Sequence, residues 1–206
     1  MDDAMVSYSG KVGRISQFGA DLVSLDDIAH NLSRLCRFSG GTSRFYSVAE
    51  HCIYCRDIFR WGWNRRPFSS EEAKQDTVRL ELLLLLHDAA EAYISDIPAY
   101  VKAAAPELLT IEARIRKSIF RYFHIEDLTE EEHEIVSKCD SLALLAEARC
   151  LCSVELYNYL IKQAGYKDLV WQARLVPPLP KIGKMKDVEV YYKDEVLRLL
   201  EELKDG

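Results

Sequence analysis

The chain has 206 residues, 49% of them hydrophobic, with a formal net charge of −6. That length supports one sizeable core, and the acidic balance with no dense Lys/Arg run argues against a nucleic-acid polymer as partner. The start, MDDAMVSYSG, lacks the apolar core of a signal peptide, and the run Leu82–Leu86 is far too short to span a bilayer. A soluble cytoplasmic protein with no membrane partner is therefore expected.

In chain order, YSGKVGRISQFGADLV carries a short strand or hairpin, and nearly every later periodicity is helical. SLDDIAHNLSRLCRF opens with Ser24 and Asp27 as a capping-box-like start. Leu25, Ile28, Leu32, Leu35 and Cys36 trace one apolar face, and Gly40-Gly41 closes the helix. A second helix runs through SVAEHCIYCRDIF, with Val48, Cys52, Cys55 and Phe59 inward. RWGWNRRPFSSEEAKQD, with Arg60, Arg65 and Arg66, reads as an exposed connection. A third helix starts near Asp76 and carries the leucine run, with Pro98 ending it or just past its end. PELLTIEARIRKSIFRYF is a fourth, and Thr129 with Glu132 caps a long fifth helix reaching LYNYL. After Gly165 the pattern weakens until MKDVEVYYKDEVLRLLEEL supplies a last helix. The expectation is an all-α fold with minor irregular or β decoration near the N-terminus.

The six cysteines, Cys36, Cys52, Cys55, Cys139, Cys150 and Cys152, read as reduced, buried small thiols. The CxxC at Cys52 and Cys55 lacks a second pair at zinc-knuckle spacing. Phe45, Tyr46, Tyr54 and Phe59 read as core. His30 borders an apolar stripe, while His124 and His133 lie on a charged, solvated face; none of the three is read as a ligand.

LELLLLLHDAAEAYISDIP is the stretch that bears chemistry. On a helix His87, Asp88 and Glu91 share one edge, and a carboxylate beside five leucines is costly to desolvate unless compensated. A divalent metal compensates it and uses the imidazole lone pair. His51 and Asp140 are the other ionisable residues set where the pattern wants core.

His51, then His87-Asp88 thirty-six residues on, then Asp140 fifty-two after that, resembles the H…HD…D signature of HD-domain metal-dependent phosphohydrolases. SVAEH and HDAAEAYISDIP look like the corresponding stretches of YfbR-type 5′-deoxynucleotidases, and DIAHNLSRLCRF resembles the helix before them. The same stretches also look like phage and bacterial relatives that include HD-type dATP triphosphohydrolases. The resemblance covers about residues 26–149 and implies a helical bundle forming one domain over 1–206, with a helical extension from about 166 to 206. It implies one divalent transition metal (Co, Mn, Ni, Fe or Zn) on His51, His87, Asp88 and Asp140, with Glu91 and Asp96 catalytic. Arg37 and Phe38 stand near the family's Arg-Trp pair and would touch phosphate and sugar or base; Lys102 and Arg44 are further cations for a longer polyphosphate. The implied activity is hydrolysis of (deoxy)nucleotides, as a 5′-nucleotidase of monophosphates or as a dNTP triphosphohydrolase, by a homo-oligomer. A non-catalytic nucleotide sensor shares the same site. A cyclic-nucleotide or (p)ppGpp phosphohydrolase shares the metal core, but its extra helices have little room here.

Overall fold

The computed structural model describes residues 3–62 and 71–204. Strands β1 (Ala4–Val6) and β2 (Val12–Arg14) pair antiparallel, with Met5 opposite Gly13. A Cβ on Gly13 would meet the Leu22 side chain at 2.5 Å, so glycine is what lets the hairpin lie on the core. The hairpin turn is tied down by Ser9, whose backbone N–H and hydroxyl both donate to the Asp27 carboxylate.

Asp27 is therefore not spent on a capping box. Ser24 caps helix α1 (Leu25–Leu32) without a side-chain bond, and its N–H donates to the Tyr93 hydroxyl at 3.0 Å. The helix ends at Leu32, well short of the expected stop at Gly40-Gly41. Cys36 instead forms an isolated bridge with Ser47, and Arg37–Gly40 make a tight 3-10 turn in which Phe38 and Ser39 take φ of 55° and 51°.

Helix α2 (Val48–Gly62) buries Val48, Cys52, Cys55 and Phe59, as their spacing predicts. Arg60 belongs to this helix and not to a loop. It forms a fork with Glu81 through Nε at 2.9 Å and Nη2 at 2.6 Å. Arg65 and Arg66 lie outside the described residues. Helix α3 (Glu71–Leu86) begins earlier than expected and stops at Leu86, twelve residues short of Pro98. Four residues of turn lead to the short α4 (Glu91–Ile94), and Pro98 caps α5 (Ala99–Ala104).

Helix α6 (Glu107–Phe123) closes on His124 in the left-handed region. Helix α7 (Glu130–Leu151) starts with the expected capping box: the Glu132 N–H donates to the Thr129 hydroxyl, and the Thr129 N–H to the Glu132 carboxylate. It does not continue to Leu160. The Ser153 hydroxyl accepts from the Leu156 N–H and starts a separate α8 (Val154–Leu160), a competing bond that serine makes readily. After 3-10 turns at 164–169 and 172–174 comes α9 (Met185–Lys204).

Helix α2 packs between α3 and α7, while α9 crosses α3 and α1. All five residues Leu82–Leu86 are buried, and each contributes roughly 1.5–3 kcal/mol by leaving water. Val188, Tyr192, Val196 and Leu199 bring α9 into the same hydrophobic cluster, and the Tyr192 hydroxyl donates to the Leu85 carbonyl at 2.6 Å. The C-terminal helix thus supports the back of the leucine helix. No described helix is long and apolar enough to cross a membrane.

The capping box gives a stability test. Thr129→Ala should cost about 1 kcal/mol by urea unfolding at pH 7. Burial opposes ionisation of Glu132, but Arg79 and the cap outweigh it and lower the carboxyl below its ordinary value. The Glu132 contribution is therefore present above about pH 4.5 and lost on acidification, so the deficit of Glu132→Gln should shrink as pH falls below that point.

Candidate metal centre

Helices α2 and α7 and the turn that follows α3 bring four donors together, so His87 and Asp88 sit past the helix end and do not share one helix edge with Glu91. His51 Nε2, on α2, lies 3.1 Å from Asp140 Oδ1 on α7, 3.5 Å from Asp88 Oδ2 and 3.3 Å from His87 Nε2. His87 Nε2 is 3.3 Å from Asp88 Oδ2. Donors bound at about 2.0–2.2 Å to one ion and at right angles to each other lie about 3 Å apart. The donors fall into two overlapping groups, His51, Cys55, His87 and Asp140, and Cys52, His87 and Asp88, in each of which the donor atoms lie within 4.8 Å of one another. The distances from His51 Nε2 and between His87 and Asp88 suit a cation at their junction. Exposure rises from the floor to the rim: the side chains of His51, His87, Asp88 and Asp140 are 0%, 10%, 21% and 45% exposed.

The break after Leu86 aims the second imidazole. Between Leu86 and Tyr93 the chain winds with i to i−3 hydrogen bonds, and His87 Nδ1 lies 2.8 Å from the Leu84 carbonyl. A carbonyl only accepts, so Nδ1 carries the proton and Nε2 presents its lone pair. That contact also satisfies a carbonyl left open at the helix end.

His51 is oriented by a residue that the sequence reading overlooked. Glu147, 0% exposed, stands 2.7 Å from His51 Nδ1, accepts from the Tyr46 hydroxyl at 3.0 Å and accepts from Arg37 Nε at 3.2 Å. Burial opposes its ionisation, but His51 and Arg37 outweigh it and bring the carboxyl down to about 2. A carboxylate behind a ligating histidine fixes its tautomer and raises its basicity. The signal was an acid inside the apolar run LALLAEARCL, two helical turns beyond Asp140.

Arg37 is 9% exposed and faces inward, with Nη1 3.6 Å from Asp88 Oδ2 in addition to its bond with Glu147. Phe38 is half-buried beside it, with the guanidinium carbon 5.6 Å from the ring centre. Around the focus three carboxylates, Asp88, Asp140 and Glu147, stand against one guanidinium. With neutral imidazoles this leaves two negative charges, which one divalent cation cancels. Without a cation, protons serve instead. Burial presses both histidines toward the neutral form, yet Glu147 and Asp140 raise His51, and Asp88 raises His87 well above its ordinary value. Asp88 is held well below the usual carboxylate range, with His87 overcoming the burial that opposes it.

Glu91 is 4% exposed, and its Oε2 has no hydrogen-bond partner among the described residues. Burial, then the Asp88 and Asp96 charges, push its carboxyl up to about 9. Asp96 lies beyond α4, where Ser95 turns the chain at φ 71°, and burial raises its carboxyl too. Lys102 Nζ reaches Glu112 at 2.7 Å and Glu91 at 3.9 Å, so it adjoins the site. Arg44 does not: it binds Glu50 at 2.9 Å and lines a separate groove with Lys184 and Lys186.

Both cysteines of the CxxC line the floor. Cys55 Sγ is 3.5 Å from His51 Nε2, and Cys52 Sγ falls within 4.8 Å of donor atoms of His87 and Asp88. Burial raises both thiols, which favours their protonated form. All six cysteines are free thiols. Cys52, Cys55 and Cys139 are buried as expected, but Cys150 is exposed at the end of α7 and Cys36 and Cys152 are half-buried. Tyr46, Tyr54 and Phe59 are core, whereas Phe45 is exposed. His30 is 3.2 Å from Glu189 and stacks on Tyr8, apart from the donors. A cleft of about 550 Å³ opens from His87, Asp88 and Asp140 along α6 and α7, and His133 lines it.

No family model matches the chain. It is 35% identical over 109 residues to the uncharacterized protein YfdR of Escherichia coli, covering 53% of this chain and 52% of that protein. It is 36% identical over 84 residues to an uncharacterized protein of Rhodobacter capsulatus, covering 40% and 38%. The matches thus span about half, or less, of these relatives' length.

Two outcomes follow from the charge balance. Titration calorimetry of Mn²⁺ binding near pH 6.5, repeated in buffers of different ionisation enthalpy, should register release of about two protons per ion, with affinity falling on acidification. The histidine values are raised, so the protonated state is complete below about pH 6.5 and is lost as pH rises through the folded values. Glu147→Gln should weaken Mn²⁺ binding about 10–100-fold with helical content unchanged. Unaltered affinity in that variant would remove Glu147 from the metal's support.

Proposed function

We propose that the chain is a metal-dependent phosphohydrolase of the HD type acting on (deoxy)nucleotides. The observation that carries this reading is the cluster of His51, His87, Asp88 and Asp140 at the foot of a cleft, with the buried Glu91 carboxyl, whose Oε2 has no hydrogen-bond partner among the described residues, nearby. Two imidazoles with two carboxylates suit Mn²⁺, Co²⁺, Ni²⁺, Fe²⁺ or Zn²⁺ better than Ca²⁺, which takes oxygen ligands. When bound, such an ion supplies Lewis acidity, lowering the pKa of a water and polarising a phosphoryl oxygen.

The chain's own groups do the rest. His51 and His87 are held in one tautomer by Glu147 and the Leu84 carbonyl, so binding requires no ring reorientation. Glu91 is kept protonated by burial and its acidic neighbours, and donates to the leaving oxygen or exchanges a proton with the attacking water. With a cation held by His51, His87, Asp88 and Asp140, the Glu91 carboxyl would ionise more readily, which suits it to exchanging a proton. Asp96 receives or relays that proton, and the Arg37 guanidinium holds Asp88 and Glu147 in place. The reacting phosphate enters from the cleft side, where Asp140 is most exposed. The substrate is a small nucleotide, and the working form is a cytoplasmic homo-oligomer.

The test incubates Mn²⁺-, Co²⁺- and Ni²⁺-loaded protein with deoxynucleoside mono- and triphosphates and identifies the phosphorus product by ³¹P NMR. Orthophosphate from a monophosphate marks a nucleotidase; triphosphate from a dNTP marks a triphosphohydrolase. No turnover on any of them would rule out the enzyme reading. Asp88→Ala should lose metal and activity together, whereas Glu91→Gln should keep the metal and lose about 10²–10⁴ in rate.

A further inference from the structure

The cleft that leads to the metal centre has a cationic wall that the four donors do not explain. Every fourth residue of α6 faces it: Glu112, Arg116 and Phe120, with Ala113 and Lys117 alongside. Helix α7 presents His133, Val136, Ser137 and Asp140 at the spacing of a single helical face. His133 stands seven residues from Asp140, about 10 Å along the helix axis. His133 therefore stands beyond the donor set, on a helix face that leads through Ser137 to Asp140.

The two cations of this wall have no ion-pair partner among the described residues. Glu112 is neutralised by Lys102 at 2.7 Å. Arg116 and Lys117 are exposed, and neither makes an ion pair or side-chain hydrogen bond among the described residues. Asp127 is the acid that lines the cleft on their side. Cations on a surface usually spread into solvent. Here they face the cavity beside the His133 imidazole and the Ser137 hydroxyl, so donors converge on the volume next to the metal focus.

We propose that Arg116 and Lys117, with His133 and Ser137, form a polyphosphate subsite for the phosphates beyond the one under attack, so that the substrate is a nucleoside triphosphate and not a monophosphate. The assignment rests on the phosphohydrolase reading for its place in a reaction, but its anion chemistry stands by itself. A monophosphate seated at the metal leaves this wall unused. A triphosphate spends its distal charges on the guanidinium, which matches phosphate geometry in forked pairs, and on the ammonium. The buried Phe120 and Val136 line the same cleft and lower the local polarity beside those contacts.

The test titrates inorganic triphosphate and orthophosphate into the full chain without added metal, so that chelation does not enter. Wild type should bind triphosphate at least about tenfold more tightly than orthophosphate. R116A/K117A should abolish that difference while keeping the wild-type circular dichroism; R116Q and K117Q should each reduce it, which decides the matter if the double variant unfolds. Equal affinity for the two anions in wild type, or a preference that survives these substitutions, would overturn the proposal. The binding readout is separate from turnover. A chain that prefers triphosphate through these residues but hydrolyses no nucleotide loses the phosphohydrolase reading and keeps the subsite; an active chain without the preference does the reverse.

Discussion

Two imidazoles, three carboxylates and a guanidinium meet where α2, α3 and α7 pack, and the fold depends on their cancelling one another away from water. A lone charge at His51, with no exposed surface, would cost several kcal/mol. The cost is met by pairing: Glu147 takes His51 Nδ1 and Arg37 Nε, Arg37 leans toward Asp88, and the Leu84 carbonyl takes His87 Nδ1. What remains is a deficit of two positive charges at the Nε2 side of both rings. Protons or a divalent cation can fill it, and the two compete.

The apolar architecture keeps that competition confined to one place. Leu82–Leu86 anchor α3 between α2, α7 and α9, so the turn that follows has little freedom and His87 and Asp88 leave it in fixed directions. Helix α7 contributes twice, with Asp140 toward the cleft and Glu147 two turns later behind His51. Helix α9 seals the rear through Tyr192 on the Leu85 carbonyl. Glu91 then inherits a site of low polarity next to two acids, which is the physical reason that its carboxyl resists ionisation.

Local rules made much of this legible from residues alone. The helical periodicities located most of the elements, the Thr129–Glu132 box marked the start of α7, and ionisable groups in apolar surroundings pointed to His51, His87, Asp88 and Asp140. Competition between local bonds accounts for several differences. Asp27 had a better partner in the Ser9 turn than in its own helix start, Ser153 capped a new helix, and the leucine helix stopped where His87 could satisfy a freed carbonyl. Glu147, Cys55 and the Arg116–Lys117 wall depend on which helices become neighbours. One chain's periodicity cannot distinguish a buried acid on α7 from a solvated one. Arg37 shows the same limit: its inward bonds to Glu147 and Asp88 come from a loop geometry with positive φ at Phe38 and Ser39 that no pattern announced.

The central claim is that His51, His87, Asp88 and Asp140 share one cation, and anomalous X-ray scattering from crystals grown with Mn²⁺ tests it most directly. A shared ion should give a single strong peak per chain, within about 2.0–2.3 Å of both Nε2 atoms and of a carboxylate oxygen from each aspartate. A peak held instead by the Cys52 and Cys55 thiols, or no peak between these four side chains at saturating metal, would contradict it.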